Sequence, residues 1–195
     1  MWLLISGILS GILTFFFGYF FRDPNRLIPS GEGILISPAD GFISTIKPLS
    51  SHPFLNSAAI QVSIFLTIFD VHVNRVPISG IVDNVSYKPG KFLAAFKDHA
   101  SEENEQTEIA LTTSAGVRIA FKQIAGQLAR RIVCRLEKGQ SVSAGDRFGL
   151  IKFGSRTDLI VPADTQIEVE KGQHVRGGST IIGRLAVNPT KNVVS

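Results

Sequence analysis

The chain has 195 residues, room for one compact core, with a formal charge of +4 and one cysteine, Cys134. A single Cys excludes an internal disulfide framework, and His52, His72, His99 and His174 show no paired metal-ligand spacing. The basic residues are scattered rather than gathered in an aromatic-interleaved tract, so no nucleic-acid partner is expected, whereas an anionic membrane surface suits the charge.

Residues 1–21, MWLLISGILSGILTFFFGYFF, carry no charge and are about as long as a bilayer's hydrocarbon core is thick. No Lys or Arg precedes them and no small-x-small cleavage site succeeds them, so they read as a retained anchor that spans or lies in the membrane. Arg22 and Arg26 flank the anchor and place the domain behind it on the cytoplasmic side of a cell membrane. Residues 22–33, rich in Pro and Gly, are a linker, and 34–195 form one domain.

The domain opens with GILISPADGFIS, a strand, a tight turn at Asp40-Gly41 and a second strand. AAIQVSIFLTIFDVHVNRVPISG is a β-branched run whose end displays Asp70, His72, Asn74 and Arg75 before Pro77 and Gly80. KFLAAFKDHASEENEQTE predicts a short helix and then an acidic loop. EIALTTSAGVRIAF alternates on both sides of Ser114-Ala115-Gly116 and predicts a hairpin. In QLARRIVCRL, Leu128, Ile132 and Leu136 have helical spacing while the β-branched residues suit a strand, so both remain open. Cys134, flanked by apolar residues, reads as a buried small hydrophobe. The remainder is short strands and glycine turns, including two related hairpins, KGQSVSAGDRFGL from Lys138 and KGQHVRGGSTIIG from Lys171. The fold expected is mainly β, a compact barrel or sandwich with paired glycine-rich hairpins and one or two short helices behind an N-terminal hydrophobic helix.

The two related turns differ in chemistry. The first continues with Asp146, an ordinary turn residue, the second with Ser179 and Thr180 behind Gly177 and Gly178. A Gly-Gly pair marks a turn with positive φ and needs no further explanation. The same features also suit intramolecular attack of the Ser179 hydroxyl on the Gly178 carbonyl. An N→O acyl shift, elimination and hydrolysis then leave a pyruvoyl group, a built-in carbonyl cofactor able to form a Schiff base with a substrate amine. Such chemistry needs a base and oxyanion donors. Asp40 and His72, displayed at a turn and a strand end, are candidates, although each is also an ordinary structural residue at such a place.

In combination, FFRDPNR, SPADG, FLTIFDVHVNRVPISG, QIAGQLARRIV, GDRFGLIKFGSR with Thr157-Asp158 behind it, and GGST resemble the phosphatidylserine decarboxylase family in its short, archaeal-type form, from Arg22 to Asn192. The resemblance implies a zymogen cut between Gly178 and Ser179 into chains 1–178 and 179–195, with Ser179 becoming the pyruvoyl cofactor. It implies a membrane-bound enzyme that converts phosphatidylserine, or a related serine phospholipid, to the ethanolamine lipid, with Asp40 and His72 catalytic. Lys152 and Arg156, with Arg22 and Arg26, are candidate contacts for phosphate or anionic headgroups. Two positions depart from the family pattern: Gly177 stands where Leu is common, and Arg75 where longer members carry a second His. Arg is no base at ordinary pH, so the base for Ser179 is His72 or Asp40. Two other classes share some features: a lipoyl- or biotinyl-type carrier modified at Lys152, and a serine hydrolase using Ser179, His72 and Asp40 without a G-x-S-x-G elbow.

Overall fold

The uncharged opening segment folds as α1 (Trp2–Phe20) in a computed structural model that describes residues 1–95, 100–127, 131–151 and 155–186. The helix carries no charge, the Ser6 and Thr14 hydroxyls are turned back onto its own carbonyls, and its 19 residues extend about 28 Å. It is long and apolar enough to cross a membrane by length and composition. Phe20 is its one buried residue; apart from half-buried Phe16 and the Tyr19 hydroxyl, which reaches the Phe69 carbonyl, its side chains are exposed.

The strands begin with β1 (Ile34–Ile36), β2 (Gly41–His52), β3 (Ser57–Leu66), β4 (Val73–Arg75) and β5 (Gly80–Lys88). A short α2 (Ala100–Glu103) precedes β6 (Gln106–Thr112), β7 (Arg118–Ile124), β8 (Ile132–Cys134), β9 (Ser141–Val142) and β10 (Arg147–Ile151). The last are β11 (Ser155–Pro162), β12 (Gln166–Ile167), β13 (His174–Val175) and β14 (Ile181–Arg184). An eight-stranded sheet, curled, runs β13-β2-β3-β11-β7-β6-β5-β9, and two three-stranded sheets run β1-β14-β12 and β4-β10-β8.

These pairings contain an approximate two-fold. Replacing β1, β2, β3, β11, β12, β13 and β14 by β4, β5, β6, β7, β8, β9 and β10 reproduces every ladder within one half. The β7–β11 ladder joins the halves. Single hydrogen bonds obey the same relation. The Ile36 amide donates to the Pro77 carbonyl at 2.9 Å and the Arg75 amide to the Pro38 carbonyl at 2.9 Å. The Ile43 amide reaches Gln173 O and the Val82 amide Gln140 O, both at 2.9 Å. One half is thus inserted between β3 and β11 of the other.

The two Lys-Gly-Gln segments are the related strand–turn–strand units that sequence alone indicates, but the arms of each unit pair elsewhere. The first arms, β9 and β13, close opposite ends of the large sheet, and the second arms, β10 and β14, are the centres of the small sheets. The β6–β7 hairpin turns at Gly116 with φ +76°, as its alternation indicates. Ile132–Cys134 is a strand, which decides that segment in favour of its β-branched residues; 128–130 lie outside the described residues. Among the described residues the short helix expected between β5 and β6 is Ala100–Glu103, and residues 96–99 lie outside the described part.

The core lies inside the curl, where Leu35, Val62, Ile64, Ile109, Leu111, Phe121, Leu159, Val161 and Ile182 are buried together. Phe121 and Phe148 meet edge to face at 5.1 Å. Every residue of β11 but Pro162 is buried, because β11 is paired on both edges at the seam between the halves.

Candidate functional site

The turn between β13 and β14 is built from Arg176 to Thr180. The Ser179 and Thr180 amides both donate to the Arg176 carbonyl, at 3.1 and 3.0 Å, and the Thr180 hydroxyl oxygen accepts the Arg176 amide at 2.9 Å. Gly178 adopts φ +80°, and a Cβ there would stand 2.6 Å from Arg75 Cδ, so conformation and space both select glycine. Gly177 lies flat on the backbone of Ala39, where a Cβ would come within 3.0 Å. Glycine at 177 therefore allows a close approach to the facing loop. Through it the Gly177 amide donates to Asp40 Oδ1 at 2.7 Å. The Ser179 side chain is half-buried and, among the described residues, makes no hydrogen bond.

The two-fold supplies a comparison within the molecule. In the other unit the Ala144 amide donates to the Ser79 hydroxyl at 2.9 Å, and Asp146 Oδ2 accepts the Ser143 amide at 2.8 Å. There the carboxylate is on the turn and the hydroxyl on the facing loop. In the Gly177–Ser179 unit they have changed places, with Asp40 on the loop and Ser179 on the turn.

Asp40 is 6 % exposed, and its second oxygen is held by Arg26 Nη2 at 2.8 Å. Arg26 also donates to the Gly177 carbonyl at 3.3 Å. The linker arginine is therefore spent on the turn, not on a headgroup. Arg75 binds Asp23 Oδ1 at 2.9 Å, the Pro24 carbonyl at 3.1 Å and the Gly145 carbonyl at 3.1 Å. Burial draws its guanidinium down from the usual value, Asp23 opposes this, and it remains a cation. Arg75 thus ties the linker and both glycine turns together and cannot take a proton.

His72 lies just before β4, 2 % exposed. Its Nδ1 is 2.8 Å from the Asp70 carbonyl, so Nδ1 carries the hydrogen and Nε2 is left with a lone pair. That Nε2 is buried without a partner. The Phe20 ring at the end of α1 lies 4.1 Å away, centroid to centroid. Burial lowers the His72 pKa; the Asp70 and Asp40 charges oppose the shift and Arg22 adds to it. The structure brings Asp40 directly onto the turn and leaves His72 beside it with no hydrogen bond to Ser179.

His174 carries no mark in the sequence, yet its Nε2 meets Asp70 Oδ1 at 2.8 Å. Asp70 Oδ2 accepts the Thr67 amide and hydroxyl at 2.8 and 2.7 Å, so one acid orients two imidazoles, His72 by its carbonyl and His174 by its carboxylate. The available signal is the replacement, between the related units, of Ser141 by His174.

Arg156 is 1 % exposed in β11, paired with Asp158 at 2.7 Å and bonded to Ser63 Oγ at 2.6 Å, with Gln61 and Ser101 completing the Asp158 carboxylate. It is a core ion pair, remote in character from the surface contact expected of it. Lys152 lies outside the described residues. Cys134 is half-buried, and burial raises its thiol pKa. No cluster of three metal-ligating side chains occurs among the described residues. A cavity of about 690 Å³ beneath linker residues 28–34 is lined by none of Asp40, His72 or Ser179.

The family model described as phosphatidylserine decarboxylase matches residues 13–183. Relatives named phosphatidylserine decarboxylase proenzyme include one from Desulfotalea psychrophila, 49% identical over 89% of this chain and 81% of its own. Another, from Saccharopolyspora erythraea, is 49% identical over 93% of this chain and 78% of its own. A third, from Wolbachia sp. subsp. Brugia malayi, is 51% identical over 86% and 74%.

Proposed function

The chain belongs to the phosphatidylserine decarboxylase family, and from that membership we propose that it is made as a proenzyme which cuts itself between Gly178 and Ser179. The observation that carries the proposal is the exchange of acid and hydroxyl between two otherwise equivalent turns. In one unit the hydroxyl is bonded; in the other an unbonded hydroxyl sits on a turn held by a carboxylate.

The Ser179 oxygen adds to the Gly178 carbonyl as its proton passes to Asp40, the carboxylate already bonded to this turn. The Gly178–Ser179 C–N bond breaks, giving an ester and a free amine at residue 179. Loss of the Ser179 Cα proton expels the Gly178 carboxylate and leaves dehydroalanine, whose imine tautomer hydrolyses with release of ammonia. The products are residues 1–178 and a 17-residue chain, 179–195. The residues fit a pyruvoyl group at that end: Ser179 is half-buried at the head of β14, and the glycine pair leaves no side chain above it. The pyruvoyl group supplies a carbonyl that accepts the electron pair released when an amine-bearing substrate loses carbon dioxide.

His72 serves that turnover rather than the cut. Its bare Nε2, on a buried ring against Phe20, takes up a proton and returns it at the carbon that the carboxylate leaves. Asp70 fixes the ring through Nδ1. The substrate is phosphatidylserine or a related serine phospholipid, met at a cell membrane through α1 with the domain on the cytoplasmic side. Intact-protein mass spectrometry tests the central step. The expected species are two chains, the smaller one lacking ammonia relative to the plain peptide and blocked to Edman degradation. A free serine at that end would indicate ordinary proteolysis and reject the mechanism, as would cleavage of Ser179→Ala.

A further inference from the structure

The surface where α1 leaves the domain is apolar beyond what the helix itself requires. Between β3 and β4 the chain turns at Thr67–Asp70 and exposes Ile68 to 36% and Phe69 to 65%. This tip is firmly built: the Asp70 amide donates to the Thr67 carbonyl, and Asp70 Oδ2 gathers the Thr67 amide and hydroxyl. A rigid turn that displays two large apolar side chains is unusual on a surface that faces only water.

The tip is joined to the helix end. The Phe69 carbonyl accepts Arg22 Nη2 at 2.6 Å and the Tyr19 hydroxyl at 3.5 Å, and Arg22 lies over the Tyr19 ring at 3.8 Å. On the other side Asp70 holds His174, whose ring is 4.7 Å from that of half-exposed Phe42. Tyr19, Phe21, Phe42, Ile68 and Phe69 therefore form a belt around the exit of α1, edged by Arg22 and His174. Asp70, within it, is 6 % exposed and internally bonded.

We propose that this belt is a bilayer-docking surface, in which the Ile68–Phe69 tip and Phe42 enter the boundary between headgroups and acyl chains as a second attachment beside α1. Three features select a lipid surface as the occupant. The belt is continuous with a helix of membrane-crossing length. Its aromatic content is that of membrane–water interfaces, and the Arg22 guanidinium at its edge suits anionic headgroups. Docked in this way, His72, two residues beyond Asp70, comes to the depth of the headgroups, and a serine lipid reaches it without leaving its leaflet. That consequence rests on the decarboxylase reading; the docking itself does not.

Trp2 is the only tryptophan, so the full chain carrying Trp2→Phe and Phe69→Trp has one fluorophore, at the tip. In vesicles of phosphatidylcholine and phosphatidylglycerol its emission is expected to be quenched by lipids brominated high on the acyl chain and shielded from aqueous iodide. Quenching by iodide alone overturns the proposal. A second variant, Ile68→Asp/Phe69→Asp, changes only side chains exposed at the tip. It is expected to cleave itself at the wild-type rate while the ratio of turnover on vesicles to turnover on a dissolved short-chain serine phospholipid falls about tenfold. An unchanged ratio, or a variant that differs from wild type only in oligomeric state, overturns the docking and in the latter case makes the belt a contact between copies. Absence of carbon dioxide release by wild type on both substrates would reject the decarboxylase reading, while the quenching result stands by itself.

Discussion

His72 feels the Asp40 charge, but the two stand in different physical situations, and this separates their expected effects. Asp40→Asn removes the charge bonded to the Gly177 amide and leaves Arg26 without its partner, so self-cleavage should slow by about 10²-fold or more. His72→Ala touches nothing on the turn; cleavage should persist while carbon dioxide release per cleaved chain collapses. Equal losses in the two assays would refute the division of labour. The lowered His72 pKa also has a sign. Burial disfavours the imidazolium, so the acid limb of turnover lies below the ordinary 6.5, and Phe20→Ala, which admits water to the ring, should move it upward. The folded ring binds fewer protons than the unfolded one between its lowered pKa and 6.5, so its contribution to stability is full above 6.5 and erodes as pH falls through that window. Ser179 and Asp40 are legible in sequence because glycine and Asp-Gly turns advertise themselves. His174 is not, since its meaning depends on Asp70, 104 residues away. Arg156 reads as surface because arginines usually are; only the Asp158 carboxylate beside it makes its burial tolerable.

Among the strands, the alternation of β6 and β7 can be read directly, because a hairpin's partner is its sequence neighbour. The partners of β9, β10, β13 and β14 are distant, and period alone cannot name them. The same cross-strand logic locates a charge that should matter to the sheet. Glu108 on β6 sits opposite Lys122 on β7, 2.7 Å from its ammonium, with His52 of β2 3.8 Å away. Burial would raise the Glu108 pKa, but the bonds to His52 and Lys122 outweigh it and lower the value to about 2. Such a carboxylate adds stability above its unfolded value near 4.5 and loses it as pH falls from there to about 2. With partial exposure allowed for, the contribution at neutral pH is about 2 kcal/mol. Glu108→Gln should therefore lower the denaturation midpoint at pH 7 and show a flatter decline of stability between pH 4.5 and 2. A variant as acid-sensitive as wild type would mean that other groups carry this dependence.

The molecule as a whole is two interleaved copies of one seven-strand arrangement, and only one of its two glycine turns carries an unbonded hydroxyl beside a facing carboxylate. Sequence reveals the repeat through Lys-Gly-Gln but not the insertion of one half within the other, because the second arms of both units are claimed by strands far away in the chain. Symmetry also makes the linker informative. Arg26 binds Asp40 and the Gly177 carbonyl, while Asp23 binds Arg75 and Arg147, so the segment leading from α1 completes the reactive turn. The boundary between anchor and catalytic unit should then fall inside FFRDPNR and be visible as a step. A chain lacking residues 2–21 keeps Asp23 and Arg26 and should still cut itself, although Phe20 is gone and its turnover on bilayers is weak. A chain lacking residues 2–26 loses all three linker ion pairs and should cut at least tenfold more slowly, a cost expected from unpairing a buried carboxylate. Arg26→Gln in the full-length chain should reproduce much of that loss, and Arg26→Lys should restore part of it, since one ammonium replaces the ion pair but not the second bond to Gly177. Time courses of chain cleavage for the four proteins decide the matter. Equal rates for the two truncations would make the linker a tether and nothing more.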